Sequence, residues 1–180
     1  LAVSGAFTRG GTVAFSELNS FVTDGGQTFT PFTHGSASGT FATINNPTDV
    51  SLTPTYGATT TSFLSSVVTR FTGGTSSAWE IAGNWTRGTP NANKDAIVNV
   101  SGQTKTATVS TGTQVAKSLT LGDDETVSIT AGTLQLDNAS TTAAGTTFSL
   151  SGGTLQGAGN VTVNGAFSWT GGSAAGSRRR

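Results

Sequence analysis

The sequence predicts an all-β chain: a single-stranded parallel β-helix with three short strands per coil of about 20 residues, and an antiparallel β meander at one end. Three observations carry that expectation. First, Gly, Ser and Thr make up 81 of the 180 residues while charged residues are 10%. A helical bundle needs runs of Ala, Leu, Glu and Lys that this composition lacks. Second, Val, Leu, Ile and ten Phe alternate with small polar residues, which a disordered Gly/Ser linker does not do. Third, apolar pairs between residues 95 and 172 recur in three phases. Val109, Ile129, Leu150 and Trp169 step by 20, 21 and 19 residues. Val115, Leu136 and Leu155 step by 21 and 19, and Val100, Leu121 and Val163 by 21 and 42. The absent member of the last series falls in the small-residue stretch 139–144. An antiparallel sandwich gives similar alternation through hairpins every ~8–12 residues. The twenty-residue register favours the β-helix, whose coils stack ~4.8 Å apart through parallel pairing.

The elements follow in order. The chain opens inside a strand pattern, Leu-Ala-Val-Ser-Gly-Ala-Phe, with neither a basic nor an apolar leader segment. That start reads as an internal or processed piece of a longer protein. Gly-Gly-Thr-Val-Ala-Phe (10–15) reads as one more coil of a preceding stack. Four strand-like pieces then follow at irregular spacing: QTFTPFTHG, SGTFATI, VSLTPTYG and TTTSFLSSVV. Their Gly, Asn and Pro turns fit an antiparallel meander that covers an open stack end. Residues 69–77 are the boundary. The division is therefore 1–70, the end of a β-helical unit plus a meander or cap, and 71–180, a Trp-containing start or cap followed by parallel coils.

Other classes are excluded or disfavoured. No Cys is present, so there is no disulfide framework and no thiolate metal site. No apolar run reaches ~18 residues, which argues against membrane insertion. A formal charge of zero argues against a nucleic-acid partner.

The segment GGQTFTPFTHGSASGTFATINNPTDVSLTPTYGATTTSFL resembles a module of large bacterial cell-surface and autotransporter-like, adhesin-type parallel β-helix repeat proteins. SSAWEIAGNWTRGTPNANKDAIVNV is similar to the start of their units, through Trp79, Gly83-Asn84-Trp85, Pro90 and Asp95. GGTLQGAGNVTVNGAFSWTGG is similar to the coils that follow. Together these cover most of the chain, and their order makes it straddle two repeats of a longer array. The resemblance implies a secreted, surface-associated protein built for reach or adhesion. The chain departs from that pattern in length, and no membrane-anchoring barrel is expected within these residues.

Candidate functional residues are few. His34, the only His, sits in FTHGSASG and reads as a solvent-facing turn residue. Asp123, Asp124 and Glu125 offer three adjacent carboxylates to a hard cation such as Ca²⁺. A solvated turn accounts for them more simply, so no cofactor is expected. Asn91, Asn93 and Asp95 read as a turn with local side-chain bonds to backbone. Lys105 and Lys117 have no acid at a matching phase, so the paired charges of β-helical lyases are not expected. The chain is not expected to be an enzyme. Trp79, Trp85 and Tyr56 are candidates for stacking on glycan rings, with Trp79 and Trp85 alternatively sealing a coil end. Trp169 falls on the inward phase and reads as core. Thr106/Thr108, Thr126/Ser128, Thr147/Ser149 and Ala166/Ser168 alternate with inward residues and form an outward hydroxyl column, as an ice-binding solenoid would need. Sequons occur at Asn84, Asn99, Asn138 and Asn160, and three Arg end the chain at 178–180.

The functional expectation is an extracellular structural β-solenoid module of a stalk, adhesin or self-assembling fibre. Its partners would be copies of itself or adjacent repeats, through Leu1, Val3, Phe167 and Trp169 at the two ends. A glycan-binding module is the alternative, and an ice-binding solenoid a third.

Overall fold

The computed structural model describes residues 1–122 and 124–176. The chain forms two compact units, Leu1–Val67 and Val68–Arg180. The first contains β1 (Ala2–Thr8), β2 (Thr12–Ala14), β3 (Thr28–Ser38), β4 (Thr43–Asn45), β5 (Val50–Tyr56) and most of β6 (Thr60–Arg70). A short hairpin turn, closed by the Gly57 N–H donating to the Thr60 carbonyl, folds β5 back antiparallel on β6. β3 also runs antiparallel to β6. The meander is thus present, but it involves fewer strands than the spacing suggested. β1 lies parallel to β3 with Ala2 opposite Thr33, and β2 lies parallel to β4 with Thr12 opposite Thr43. The 13-residue run between β2 and β3 leaves room for the crossover that parallel pairing needs. Residues 1–15 therefore form an outer coil on 28–45. Val50, Leu52, Phe63 and Val67 are buried at the centre of the unit, with Phe15, Phe29, Phe32 and Phe41 packed around them.

The second unit is a parallel β-solenoid of about four turns. Its twelve strands are β7 (Lys94–Val98), β8 (Thr106–Val109), β9 (Thr113–Ala116), β10 (Ser118–Leu121), β11 (Thr126–Ile129), β12 (Thr133–Leu136), β13 (Ser140–Thr142), β14 (Thr147–Leu150), β15 (Thr154–Gly157), β16 (Val161–Val163), β17 (Ala166–Trp169) and β18 (Ser173–Gly176). They form three parallel ladders, β7-β10-β13-β16, β8-β11-β14-β17 and β9-β12-β15-β18. One short 3-10 turn, Ala82–Asn84, precedes them.

Register decides what faces inward, because a slip of one residue turns a strand over. In the second ladder, Val109, Ile129, Leu150 and Trp169 stack as the sequence steps required. The other two phases need correction. Leu136 stands opposite Ala116, not Val115, and Leu155 stands opposite Leu134. Leu121 stands opposite Val98, not Val100. The absent member of that column is Thr142, stacked between Leu121 and Val163. Thr142 and Ser140 fill core positions with hydroxyls whose hydrogen bonds are made internally: Ser140 Oγ accepts the Leu119 N–H at 2.9 Å and donates to the Asn138 carbonyl at 3.1 Å. A buried hydroxyl needs such partners to avoid a desolvation cost of about 1–3 kcal/mol.

The corner between the second and third ladders repeats in each coil. Gly112, Gly132, Gly153 and Gly172 occupy it with φ of 62°, 66°, 66° and 76°. An added Cβ on Gly132 would stand 2.7 Å from the Gly112 carbonyl oxygen of the coil below. Conformation and spacing both demand glycine there.

Candidate functional site

Among the described residues the solenoid has one covered end and one uncovered end, and four of the candidate residues, Trp79, Trp85, Phe167 and Trp169, lie there. The covered end is built from residues 71–85. Ser77 to Trp79 lie parallel against β8, with the Trp79 N–H donating to the Thr108 carbonyl and the Thr108 N–H to the Ser77 carbonyl. The Phe71 N–H donates to the Ile97 carbonyl. Trp79 and Trp85 meet edge to face with centroids 4.7 Å apart, and Phe71 packs on Trp85 at 5.1 Å. Trp85 Nε1–H donates to the Trp79 carbonyl at 2.7 Å. Asn84 is the knot of the loop. Its Oδ1 accepts the Thr75 and Ser76 N–H groups and the Thr75 hydroxyl, and its Nδ2 donates to Ser76 Oγ and the Ala78 carbonyl.

Trp79 is fully buried and Trp85 is 4% exposed. Neither presents a ring face to a glycan, so the platform reading of these two residues is corrected in favour of the end seal. The reason is that the ladder needs apolar cover over Val98, Ala107 and Val109, and two indoles supply it. Asn84, a sequon residue, is equally buried. Tyr56, in the first unit, is half-buried; its hydroxyl accepts the Phe41 N–H at 3.1 Å and its ring lies 4.8 Å from the Arg9 guanidinium carbon.

The uncovered end is the outer edge of β16, β17 and β18. Among the described residues these strands pair only inward, with β13, β14 and β15. The Ala166 and Thr170 N–H groups donate back to the preceding coil. Backbone groups alternate sides along a strand, so those of Phe167 and Trp169 point away from it. Their side chains are 45% and 55% exposed. Trp169 keeps the inward phase read from the sequence but is not core, because no described coil lies over it. A second free edge belongs to the first unit, where β1 pairs only with β3 and β2 only with β4. Leu1 is 72% exposed there and Val3 is half-buried.

No known protein family, curated protein or solved structure matches this chain.

The remaining candidates fall elsewhere. Asp123 lies outside the described residues, as do the three terminal Arg. Asp124 is exposed, with a left-handed φ of 58°. Glu125 is fully buried. Its Oε1 accepts the Val100 N–H at 2.9 Å and its Oε2 accepts the Lys105 N–H. It staples the 99–105 loop to the coil, and a carboxylate with both oxygens so engaged is not presented to a cation. Among the described residues no three His, Cys, Asp or Glu side chains are grouped to share a metal ion.

His34 is also corrected: it lies within β3 and is buried, not in a solvent-facing turn. Its ring stacks on Phe7, with centroids 5.7 Å apart, and its Nε2 lies 3.3 Å from Thr61 Oγ1. Arg9 Nη1 donates to the same hydroxyl at 3.0 Å. Among the described residues Arg9 is a buried cation with no carboxylate partner, held by Thr61 and the Tyr56 ring. Nothing local in the sequence marks Arg9 as buried, since a charge followed by Gly10-Gly11 has the composition of an exposed turn. Lys117 does have an acid in phase: its Nζ lies 3.1 Å from Asp95 Oδ2, and Ser118 Oγ donates to Asp95 Oδ1 at 2.6 Å. Ser118 stands directly opposite Asp95 in the ladder, so Asp95 pairs across coils and not within its own turn. Asn91 does make the local bond expected, accepting the Asn93 N–H at 2.8 Å.

The outward hydroxyl columns stand in register. Thr106, Thr126, Thr147 and Ala166 form one, and Thr108, Ser128, Ser149 and Ser168 the other.

Proposed function

We propose that this chain is a structural module of an extracellular, surface-associated assembly, a stalk, adhesin or fibre built by end-on stacking of coils. The observation that carries the reading is the free edge of β16–β18, where unpaired backbone groups and the exposed rings of Phe167 and Trp169 coincide. Each free edge is a template for another strand. The outward face of β8, β11, β14 and β17 consists of two columns of small, mostly hydroxyl side chains, a surface suited to repetition along a stack. Head-to-tail contact between unlike ends does not close, so it extends into filaments. Negative-stain electron microscopy of concentrated protein tests this. Filaments are expected; compact single particles at every concentration would overturn the self-assembling reading.

A second reading rests on the registered Thr/Ser columns of β8, β11, β14 and β17. Hydroxyls repeating at ~4.8 Å along the stack are suited to ordering water, as an ice-binding face does. An ice-recrystallisation assay with Thr126→Lys/Thr147→Lys checks it: inhibition lost in the variant supports the reading, and no inhibition by wild type removes it.

A further inference from the structure

We propose that the free edge of β16 and β17 accepts, in parallel register, the β1–β2 edge of a second copy of this chain. The inference rests on the stacking reading above and identifies the two surfaces that meet. Four observations carry it.

The first is polarity. β17 follows β14 in sequence, so its free edge is the side where a following coil belongs. β3 follows β1, and β4 follows β2, so the free edges of β1 and β2 are the side where a preceding coil belongs. A parallel stack continues only when these two kinds of edge meet. The second is that the start of the solenoid is an unsuitable donor. Ser77 to Trp79 already occupy the edge of β8, and Phe71 is bonded to β7. The chain's other preceding-side edge with apolar inward residues is that of β1 and β2.

The third is side-chain complementarity. On the accepting edge the bulky residues lie on two strands, Val161 and Val163 on β16, and Phe167 and Trp169 on β17. The third strand, β18, is Ser-Ala-Ala-Gly and offers little to cover. The donating edge also has two strands, with Val3 and Phe7 half-buried on β1 and Val13 on β2. Coverage of two large aromatic side chains gives each copy more burial than the alternating small residues would. The fourth is that the edge strands themselves carry few charges. Residues 161–176 contain no charged side chain and residues 1–15 contain only the buried Arg9; the Leu1 ammonium is engaged by the Pro31 carbonyl, and the three Arg at 178–180 fall after the last strand and outside the described residues. Natural free edges are commonly guarded by Lys or Glu against strand addition.

The test uses full-length chains and sedimentation velocity, with circular dichroism to confirm folding. One variant carries Leu1→Lys/Val3→Lys, the other Phe167→Lys/Trp169→Lys. Each alone is expected to sediment as an 18.0 kDa monomer while wild type forms larger species. Mixed in equal amounts, the two variants are expected to form a heterodimer and nothing larger, because each retains the edge that the other has lost. If the Leu1/Val3 variant dimerises alone, the accepting edges meet each other and the proposal fails. If wild type assembles but the mixture stays monomeric, the donor is wrong while the stacking reading stands. If wild type is monomeric throughout, the stacking reading itself fails. Should the Lys pair disturb the last coil, Trp169→Ser replaces it, with a reduced but still present shift to monomer expected.

Discussion

The two units solve the same problem with opposite means. The second unit buries registered columns, such as Ala107–Val127–Phe148 and Val109–Ile129–Leu150, in which each residue touches its own counterpart one coil away. The first unit has no such columns. It packs Phe15, Phe29, Phe32, Phe41 and Phe63, from four separate segments, about Val50, Leu52 and Val67, and it also buries Arg9, His34, Thr61 and Ser65. A repeat makes every contact a copy of the last, so the sequence needs only to keep phase. A cluster of unlike partners depends on contacts that no period announces.

That contrast can be tested by mutation, and the tryptophans make it simple to read. All three Trp lie in the second unit and the single Tyr in the first, so Trp and Tyr fluorescence report separate transitions in urea. The largest effect is expected at Trp79. Trp79→Ala removes a fully buried indole and should destabilise the solenoid by about 3–5 kcal/mol. The Trp85 and Trp169 signal should shift to lower urea while the Tyr56 transition stays in place. Phe63→Ala should do the reverse by a similar amount.

Next come the corners. Gly132→Ala forces a left-handed backbone on a residue whose Cβ meets the coil below, at a cost of about 1–3 kcal/mol. Gly5→Ala, in the first unit, places its Cβ in open space and should leave both transitions unchanged. Glu125→Ala leaves the Val100 and Lys105 N–H groups without their partner and should cost the solenoid about 1–3 kcal/mol. Protease cutting within residues 99–105 should accelerate in parallel.

Apart from the silent Gly5→Ala control, the smallest effect is expected at Arg9. A buried guanidinium without a carboxylate carries a desolvation cost that one hydroxyl and one ring offset only in part. Arg9→Met keeps the stem and removes the charge. The Tyr56 transition should then stay within ~1 kcal/mol of wild type or move to higher urea. A loss as large as that of Phe63→Ala would show that the cation is a structural necessity.

Legibility followed the same division. The second ladder was readable because Val109, Ile129, Leu150 and Trp169 are all large and apolar. The third was misread at both steps: Leu155 stacks on Leu134 and not on Leu136, and at the first coil Gln114 and Ala116 hold the inward positions while Val115 points out. With no bulk at the true phase, the nearest apolar residue misleads. Val98 lost to Val100 for a related reason: the 99–105 insertion lengthens that coil, placing Asp95 opposite Ser118 at a step of 23 residues. In the first unit the strands themselves were visible, but the parallel partners of β3 and β4 were not. Neither was the burial of His34, since FTHGSASG carries every local mark of a turn. Of the candidate residues, the Trp pair was placed at a coil end by sequence, and only the packing of Phe71, Trp79 and Trp85 decided between seal and platform.

That residues 106–169 stack as four registered coils is tested most directly by pulsed dipolar spectroscopy. The chain has no native Cys, so Thr108→Cys/Ser168→Cys places two spin labels without interference. These positions are three strands apart in one ladder, which puts their Cα atoms about 14–15 Å apart at the usual strand spacing. A single narrow distribution near that separation, widened only by the label arms, is predicted. A broad distribution, or a main peak beyond about twice the three-strand separation, would contradict the registered stack.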